Sequence, residues 1–545
     1  MKKTSISIYI AIVILISFSS NIRAQEVKEI IQPLSSKSTK GYLFSYSKDE
    51  AGTSTITYKI PGAKKSNEIF FEEYTFDSDL KFLGSKPVQE QKTEHADVEK
   101  TSFFAYVGGT TSFDVANMKL KLNKVVALET WSPERKSYIT KKVISRETIK
   151  AKNDVGKVYL GYASYQPSDY KDKIFVISRI DSKDKGTADK FMILLFDETL
   201  EIKEQILDLN GSYSLVVCNQ MSNDDVVMVF APKSGASDIS KYVYYQYDIK
   251  GNLKNRVEFK SPASAMLLTA AYDKDGSIYF CGSSMKSTES YEDVFKEYAP
   301  IYNPGITPGG ANVKDIKWQK AAGEKMENFH LLKFTGNILT FVSTTPVSAF
   351  KAKFKTSTLD KGASPYKGSK FAIRQFYVTP AGDYLITGQL SNTVNMGSEI
   401  SSVKSYEDIV CLHFDKTGAL KAQYGVGKMN NDKKSEIFEM PQAFYLSADG
   451  KKVFWEILEV KGTKGYESFL EAYYGYPSFY ALYFPRIGVI DLENSTVSNF
   501  KVLGNEKYFV RNNFTGIFDA NENSINYLGH DEDFKQLWLG KVLLN

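Results

Sequence analysis

Thiols and imidazoles are scarce in this chain, with three cysteines and four histidines among 545 residues. Three cysteines cannot build a disulfide framework, even in an oxidising compartment. Each lies in an apolar, strand-like setting: Val216-Val217-Cys218, Tyr279-Phe280-Cys281 and Val410-Cys411-Leu412. That setting suits small buried hydrophobes; one disulfide with a leftover thiol is the alternative. The histidines, His95, His330, His413 and His530, form no His-Glu-x-x-His pair, and the chain has no Gly-x-Ser-x-Gly elbow. Gly425-Val426-Gly427-Lys428-Met429 fails as a phosphate loop, because Met429 stands where a hydroxyl is needed and Ala422 replaces the first glycine. Cys411 and His413 share a strand face, yet two ligands do not make a zinc site that needs four. Asp273-Lys274-Asp275-Gly276 opens like a calcium loop but lacks the third acid and the distal glutamate, so an ordinary hairpin turn is expected. Gly529-His530-Asp531-Glu532-Asp533 is expected to be a solvated turn, with weak cation binding as the alternative. No catalytic residue, no metal and no cofactor is assigned from the sequence.

Long apolar runs are equally few. The single one, Ile6 to Phe18, follows Lys2-Lys3 and precedes Ser19-Ser20-Asn21 and Ala24. It has the plan of a secretory signal peptide over residues 1–24, too short for a comfortable membrane span; an uncleaved anchor is the alternative. No cysteine follows it, which argues against a lipid anchor. Export to the periplasm or the cell exterior is the expected destination. Loss of Lys2, Lys3 and Arg23 from 69 bases leaves 66 against 64 acids, a net charge of +2. A near-neutral mature chain carries no electrostatic footprint for nucleic acid.

Aromatic and β-branched residues are plentiful, and helical periodicity is almost absent. Tyrosine and phenylalanine, 35 of each, suit pleated, half-buried surfaces. One signature recurs: an aromatic strand end, an Asp, a short turn, and a Leu opening the next strand. It stands at Phe76-Asp77…Leu80-Lys81, Phe196-Asp197…Leu200-Glu201, Tyr247-Asp248…Leu253-Lys254 and Phe414-Asp415-Lys416-Thr417-Gly418-Ala419-Leu420-Lys421, with a looser copy at Ile490-Asp491…Val497. Asp-Gly and Pro-Ala-Gly hairpins alternate with it, turning near Asp275, Gly382 and Gly450. Weaker turns near Asn117, Asp172, Asp224, Gly336 and Asn521 complete a series with steps of 46 to 71 residues. Two hairpins per unit at that period predict four-stranded β-propeller blades, since one four-stranded sheet cannot bury both its faces alone. The reading is an all-β, single propeller domain over 25–545 with eight blades, or seven if one weak unit is miscounted. The final strand, Lys535 to Leu544, is expected to close the ring by pairing within 41–85.

This alternation of turns behind a leader resembles the secreted bacterial β-propellers of uncharacterised function. The likeness covers most of the mature chain and implies a fold and no catalytic residues. No WD series, kelch double glycine or Ser-x-Asp-x-Gly-x-Thr-Trp box is present.

Two segments interrupt the rhythm, at 286–328 and 461–486. Both are expected between the second and third strands of their blades. Nine of the nineteen residues from Tyr466 to Phe484 are Tyr or Phe, a composition suited to recognition surfaces and to stacking on sugars; folding back over one mouth of the ring is the other reading. Tyr466, Phe469, Tyr473, Tyr474, Tyr476, Phe479 and Tyr480, with Tyr298 and Tyr302 of the first insertion, are the candidate contact residues. The function expected is a monomeric binding or scaffold protein of a bacterial envelope with a protein or glycan partner. The competing class is a polysaccharide hydrolase or lyase with carboxylates around the central channel, which needs two acids converging in one pocket.

Overall fold

The computed structural model describes residues 26–544 apart from 63–65, 109–118, 151–156, 162–173, 181–189, 197–201, 249, 296–325, 361, 369–370, 396–401, 430–437, 465–479 and 511–515. The expected leader, the turns near Asn117 and Asp172 and the signature copy at Phe196-Asp197…Leu200 therefore fall wholly or mainly outside the described residues.

After β1 (Val27–Pro33), the chain forms antiparallel sheets with strands in sequence order. The first holds β2 (Tyr42–Lys48), β3 (Ser54–Ile60), β4 (Glu68–Phe76) and β5 (Phe82–Gln91). A three-stranded sheet follows, of β6 (Val98–Gly108), β7 (Lys119–Ser132) and β8 (Ser137–Lys150). Next come β9 (Lys157–Gly161), β10 (Ile174–Ile180), β11 (Lys190–Phe196) and β12 (Ile202–Ile206), then β13 (Tyr213–Gln220), β14 (Val226–Pro232), β15 (Lys241–Tyr247) and β16 (Leu253–Lys260). Another sheet holds β17 (Met266–Lys274), β18 (Ser277–Ser284), β19 (Asn328–Thr335) and β20 (Ile338–Pro346), with helix α1 (Tyr291–Phe295) between β18 and β19. Helix α2 (Val347–Ala352) leads to β21 (Phe354–Thr356), which pairs in parallel with β25 of the sheet β22 (Phe371–Val378), β23 (Tyr384–Asn395), β24 (Ser402–Phe414) and β25 (Leu420–Val426). The remaining strands are β26 (Gln442–Leu446), β27 (Lys452–Lys464), β28 (Tyr480–Asp491), β29 (Thr496–Val497), β30 (Lys501–Val502), β31 (Tyr508–Val510), β32 (Ile517–Asp519), β33 (Ser524–Asp531) and β34 (Gln536–Leu543); with β1 they form one ten-stranded sheet.

Successive first strands touch, β6 to β9, β9 to β13, β13 to β17, β17 to β22 and β22 to β26, as the inner strands of a β-propeller do. Apolar clusters fill the space between neighbouring sheets: one joins β13–β16 to β17–β20, another joins β17–β20 to β22–β25. A sheet enclosed on both faces needs apolar residues at every position. Accordingly β14, Val-Val-Met-Val-Phe-Ala-Pro, is buried throughout, whereas β3 alternates between buried and half-buried residues.

The expected count of eight or seven four-stranded blades is corrected. Among the described residues five sheets are four-stranded blades, the fifth carrying β21 at its edge. Three physical features displaced the count. Gly336 turns β19 into β20 within the same blade as Asp275. The sheet β6–β8 has three strands. The long β28 pairs with β27 along one edge and with β29, β30 and β31 along the other, fusing the last units. The closing pair is also different. β34 pairs with β1 over Val27↔Val542 to Pro33↔Gln536, not with 41–85, although Leu537 and Leu539 pack against Ile56, Tyr58 and Phe76 from that region.

The recurring turn is a structural joint. Asp415 Oδ1 accepts the backbone N–H of Thr417 at 2.8 Å and of Ala419 at 3.0 Å; Asp77 and Asp248 do the same in their turns. Partial burial pushes the Asp415 carboxyl up, but the Thr417 hydroxyl and these backbone donors outweigh it and hold it below its ordinary value. The glycine serves packing as well as the turn. Gly418 has φ +82°, and a Cβ there would lie 2.6 Å from Ser343 Cβ on β20 of the preceding blade. Gly251 repeats this with φ +81° and a 2.5 Å approach to Leu195 on β11. Gly418→Ala is therefore expected to lose about 1–3 kcal/mol of stability by urea unfolding. A loss no greater than that of an exposed-loop alanine would contradict the close approach.

Candidate functional site

In an antiparallel meander the first-to-second and third-to-fourth turns leave one end of the sheet, and the second-to-third connection leaves the other. The Asp-capped turns thus lie on one face of the propeller. The chain enters and leaves both insertions at the opposite face: 286–328 separates β18 from β19, and 461–486 includes the far end of the β27–β28 hairpin. The second segment is shorter as a loop than the sequence suggests, because β27 runs on to Lys464 and β28 begins at Tyr480. Tyr298, Tyr302, Tyr466, Phe469, Tyr473, Tyr474, Tyr476 and Phe479 lie outside the described residues. Tyr480 begins β28 opposite Lys464.

The root of the first insertion is tightly built. Ser290 caps α1: its Oγ accepts the Asp293 N–H at 3.3 Å and donates to Asp293 Oδ2 at 2.6 Å. Tyr291 and Phe295 are fully buried in the core between two blades, with ring centroids 5.3 Å apart. Glu292 pairs with Lys233 at the end of β14 at 3.3 Å. On the returning side the Glu327 N–H donates to Ser284 O at 2.9 Å and Met326 N–H to Gly368 O at 2.7 Å. His330 closes the base, with Nε2 at 2.8 Å from Ser284 Oγ and Nδ1 at 3.1 Å from Thr344 Oγ1. Burial pushes its pKa down to about 4.

That depression has a definite sign. Between the ordinary value of 6.5 and about 4, the unfolded chain binds a proton at this imidazole and the folded chain does not. Stability contributed by the neutral ring is complete above the unfolded value and declines as pH falls toward the folded one, by about 3 kcal/mol in full. His330→Gln is expected to flatten that part of the stability–pH curve, measured by urea unfolding between pH 6.5 and 4. An unchanged slope would contradict the assignment.

The second root rests on a buried ion pair. Arg486 Nη1 donates to Glu459 Oε2 at 2.7 Å and to Gly427 O at 3.0 Å, and Nη2 lies 3.4 Å from Asp360 Oδ1. Glu459 Oε1 accepts the Met429 N–H at 3.0 Å. The guanidinium stands 5.5 Å from the Phe500 ring centroid. Nearby, Glu439 links three segments: Arg374 Nη2 reaches it at 2.6 Å, the Tyr406 hydroxyl donates to it at 2.6 Å, and Tyr483 donates to its carbonyl at 3.1 Å. Arg374 also lies over the Tyr406 ring at 5.0 Å. Desolvation, then the hydrogen bond to Glu439 and its charge, raise the Tyr406 phenol to about 12.

Sequence reading missed these groups, because each draws residues from separate strands. A signal existed: Glu456, Glu459 and Arg486 are lone charges inside otherwise apolar runs, and such charges are seldom buried unless paired. The other candidates resolve as structure. All three cysteines are free and buried, with burial pushing each thiol up. His413 bonds Tyr424 Oη at 3.0 Å and Asp383 Oδ2 at 2.9 Å. His530 is buried, not solvated, and bonds the Tyr58 hydroxyl. Asp275 and Gly276 turn the β17–β18 hairpin with φ of +50° and +71°, and Asp273 accepts from Ser222 of the neighbouring blade at 2.8 Å. Beside that turn an open cleft of about 570 Å³ is lined by Asn223, Asp225, Lys254 and Asn255 among others. Asp225 is committed within it to Lys254 at 2.8 Å and to Gln246 at 2.6 Å. No group of three or more metal-ligating side chains occurs among the described residues, and none of their helices is long and apolar enough to cross a membrane.

No family model matches this chain, and no curated protein matches its sequence. Solved structures with a similar course include a lignostilbene dioxygenase from Pseudomonas brassicacearum, at 8% identity, TM-score 0.33, covering 83% of this chain and 92% of that one. A member of the DUF4221 family from Bacteroides vulgatus aligns at 10% identity, TM-score 0.25, over 68% and 89% of the respective chains. An α-L-arabinanase from Penicillium chrysogenum aligns at 6% identity, TM-score 0.24, over 68% and 90%. Likenesses this loose transfer no activity to this chain.

Proposed function

We propose that this chain is an exported binding or scaffold protein of a bacterial envelope, engaging a protein or glycan through the aromatic insertions 286–328 and 461–486. The observation that carries the reading is the common face from which both insertions leave, each above a buried, hydrogen-bonded root. Rigid elements beneath a loop hold its contact residues at low entropic cost. The composition of the insertions, with Tyr466, Phe469, Tyr473, Tyr474, Tyr476, Phe479 and Tyr480 in one and Tyr298 and Tyr302 in the other, supplies rigid amphipathic contact area. Three of the described acids are already occupied within the fold. Glu459, Asp225 and Asp383 are each neutralised by a cation from their own fold, and a carboxylate so held is poorly placed for proton transfer.

The test compares the mature chain with one in which 466–479 is replaced by a Gly-Ser linker, on glycan arrays and on immobilised envelope proteins. At least about a tenfold loss of whichever affinity the intact chain shows is expected. Undiminished binding, with unchanged folding by circular dichroism, would rule the insertion out.

A further inference from the structure

We propose that the outer edge of β8 is a strand-addition site for an extended acidic segment of a partner protein. This surface is separate from both insertions and does not rest on them. In four-stranded blades the third strand is covered by a fourth and largely buried, as in β15 and β19. β8 holds the third position in its sheet, yet every residue from Ser137 to Thr148 is exposed. One edge of β8 pairs with β7 from Ser132↔Ser137 to Lys121↔Lys150, and among the described residues no strand pairs with the other edge. Tyr138, Ile139, Val143 and Ile144 are exposed large apolar side chains along it. Between Ser137 and Glu147 such an edge offers backbone donors and acceptors to an incoming strand, and side chains on both faces to set specificity.

Charge selects the occupant. The strands β6, β7 and β8 carry eight bases against three acids, whereas the mature chain as a whole is close to neutral. Lys141, Lys142 and Arg146 are exposed on the edge strand itself. A second copy pairing here in antiparallel fashion would set those bases against their equivalents, which is destabilising. The register shifts twice, leaving Lys141 and Ile144 as extra residues on β8, and bulges of this kind further discourage stacking of identical edges. An acidic strand converts the same bases into attraction while using the same backbone groups.

The test uses the mature chain and a fluorescent peptide alternating valine and glutamate, read by anisotropy. Two control peptides replace glutamate by lysine, or carry N-methyl groups on alternate backbone nitrogens. The glutamate peptide is expected to bind, with each control at least about tenfold weaker. The exposed triple variant Lys141→Glu, Lys142→Glu, Arg146→Glu, shown folded by circular dichroism, is expected to invert the preference between glutamate and lysine. Failure of the glutamate peptide to bind, equal binding of the N-methylated peptide, or an unchanged preference in the triple variant would each overturn the proposal. So would dimerisation in sedimentation experiments that the triple variant abolishes or enhances, since the occupant would then be a second copy.

Discussion

Removal of the Glu459 carboxylate is expected to destabilise the protein by about 3–5 kcal/mol, because Glu459→Ala leaves the Arg486 guanidinium buried without its main counter-charge. Glu459 has no solvent exposure and Arg486 is 3% exposed, so water cannot replace the lost partner. The pair also ties blades together: Arg486 reaches Gly427 and Asp360 outside its own hairpin. Net attraction is not the reason for the large effect. Desolvation of two charges offsets much of the Coulombic gain, and an apolar pair of similar volume serves nearly as well. The double change Glu459→Leu, Arg486→Met is therefore expected to lose much less than the sum of the single changes, with an interaction energy of about 2 kcal/mol or more. Urea unfolding of the four proteins measures this directly. Additive losses would mean that the pair is not coupled as the distances indicate.

Trp538→Ala is expected to cost a similar amount, about 3–5 kcal/mol, through the cavity it leaves. Trp538 is almost wholly buried and lies in a slot made by glycines. A Cβ on Gly529 or Gly540 would come within 2.9 Å of its ring, and one on Gly504 within 3.5 Å. Tyr527 and Tyr508 stack beside it at centroid distances of 6.2 and 6.4 Å. Its Nε1–H donates to Glu29 Oε1 at 3.1 Å, and the same oxygen accepts the Gly504 N–H at 2.6 Å. That bond fastens β1 to the last strands, so the loss should be uneven. Hydrogen exchange in Val27–Pro33 is expected to accelerate more than exchange in β14. Trp538→Phe, which keeps much of the volume and loses the donor, should fall between the variant and the parent. Equal acceleration in β1 and β14 would show that Trp538 stabilises the ring without a special role in closing it.

Much of this architecture is legible in the residues. The Asp-capped turn at Phe414 to Lys421 was readable because one carboxylate answering two backbone donors is a local matter, settled within five residues. The hairpins at Asp275, Gly382 and Gly450 were readable for the same reason. Blade number was not, because it depends on which edge a strand presents to its neighbour. Nothing in Tyr480–Asp491 announces that it serves two sets of partners, and Gly336 looks locally like an inner turn. β1 was missed because Val-Lys-Glu-Ile-Ile-Gln-Pro is short, half polar and finds its partner at the other end of the chain. The Glu439 cluster of Arg374, Tyr406 and Tyr483 spans three sequence regions and forms only when the sheets pack. The interruptions of the repeat were visible in the sequence, but the strand pairing of 461–464 with 480–486 was not, and the roots became visible only through buried contacts such as Tyr291 with Phe295 and Glu459 with Arg486.

The proposed separation of a structural face from a recognition face is tested most directly by photo-crosslinking in a cell-envelope preparation. A benzophenone amino acid is placed at Tyr302 or Tyr473 in the insertions, and at Thr417 or Lys451 among the turns of the opposite face. Discrete crosslinked products from Tyr302 and Tyr473, with none from Thr417 and Lys451, are the expected result. Crosslinks confined to the turn positions would contradict the account.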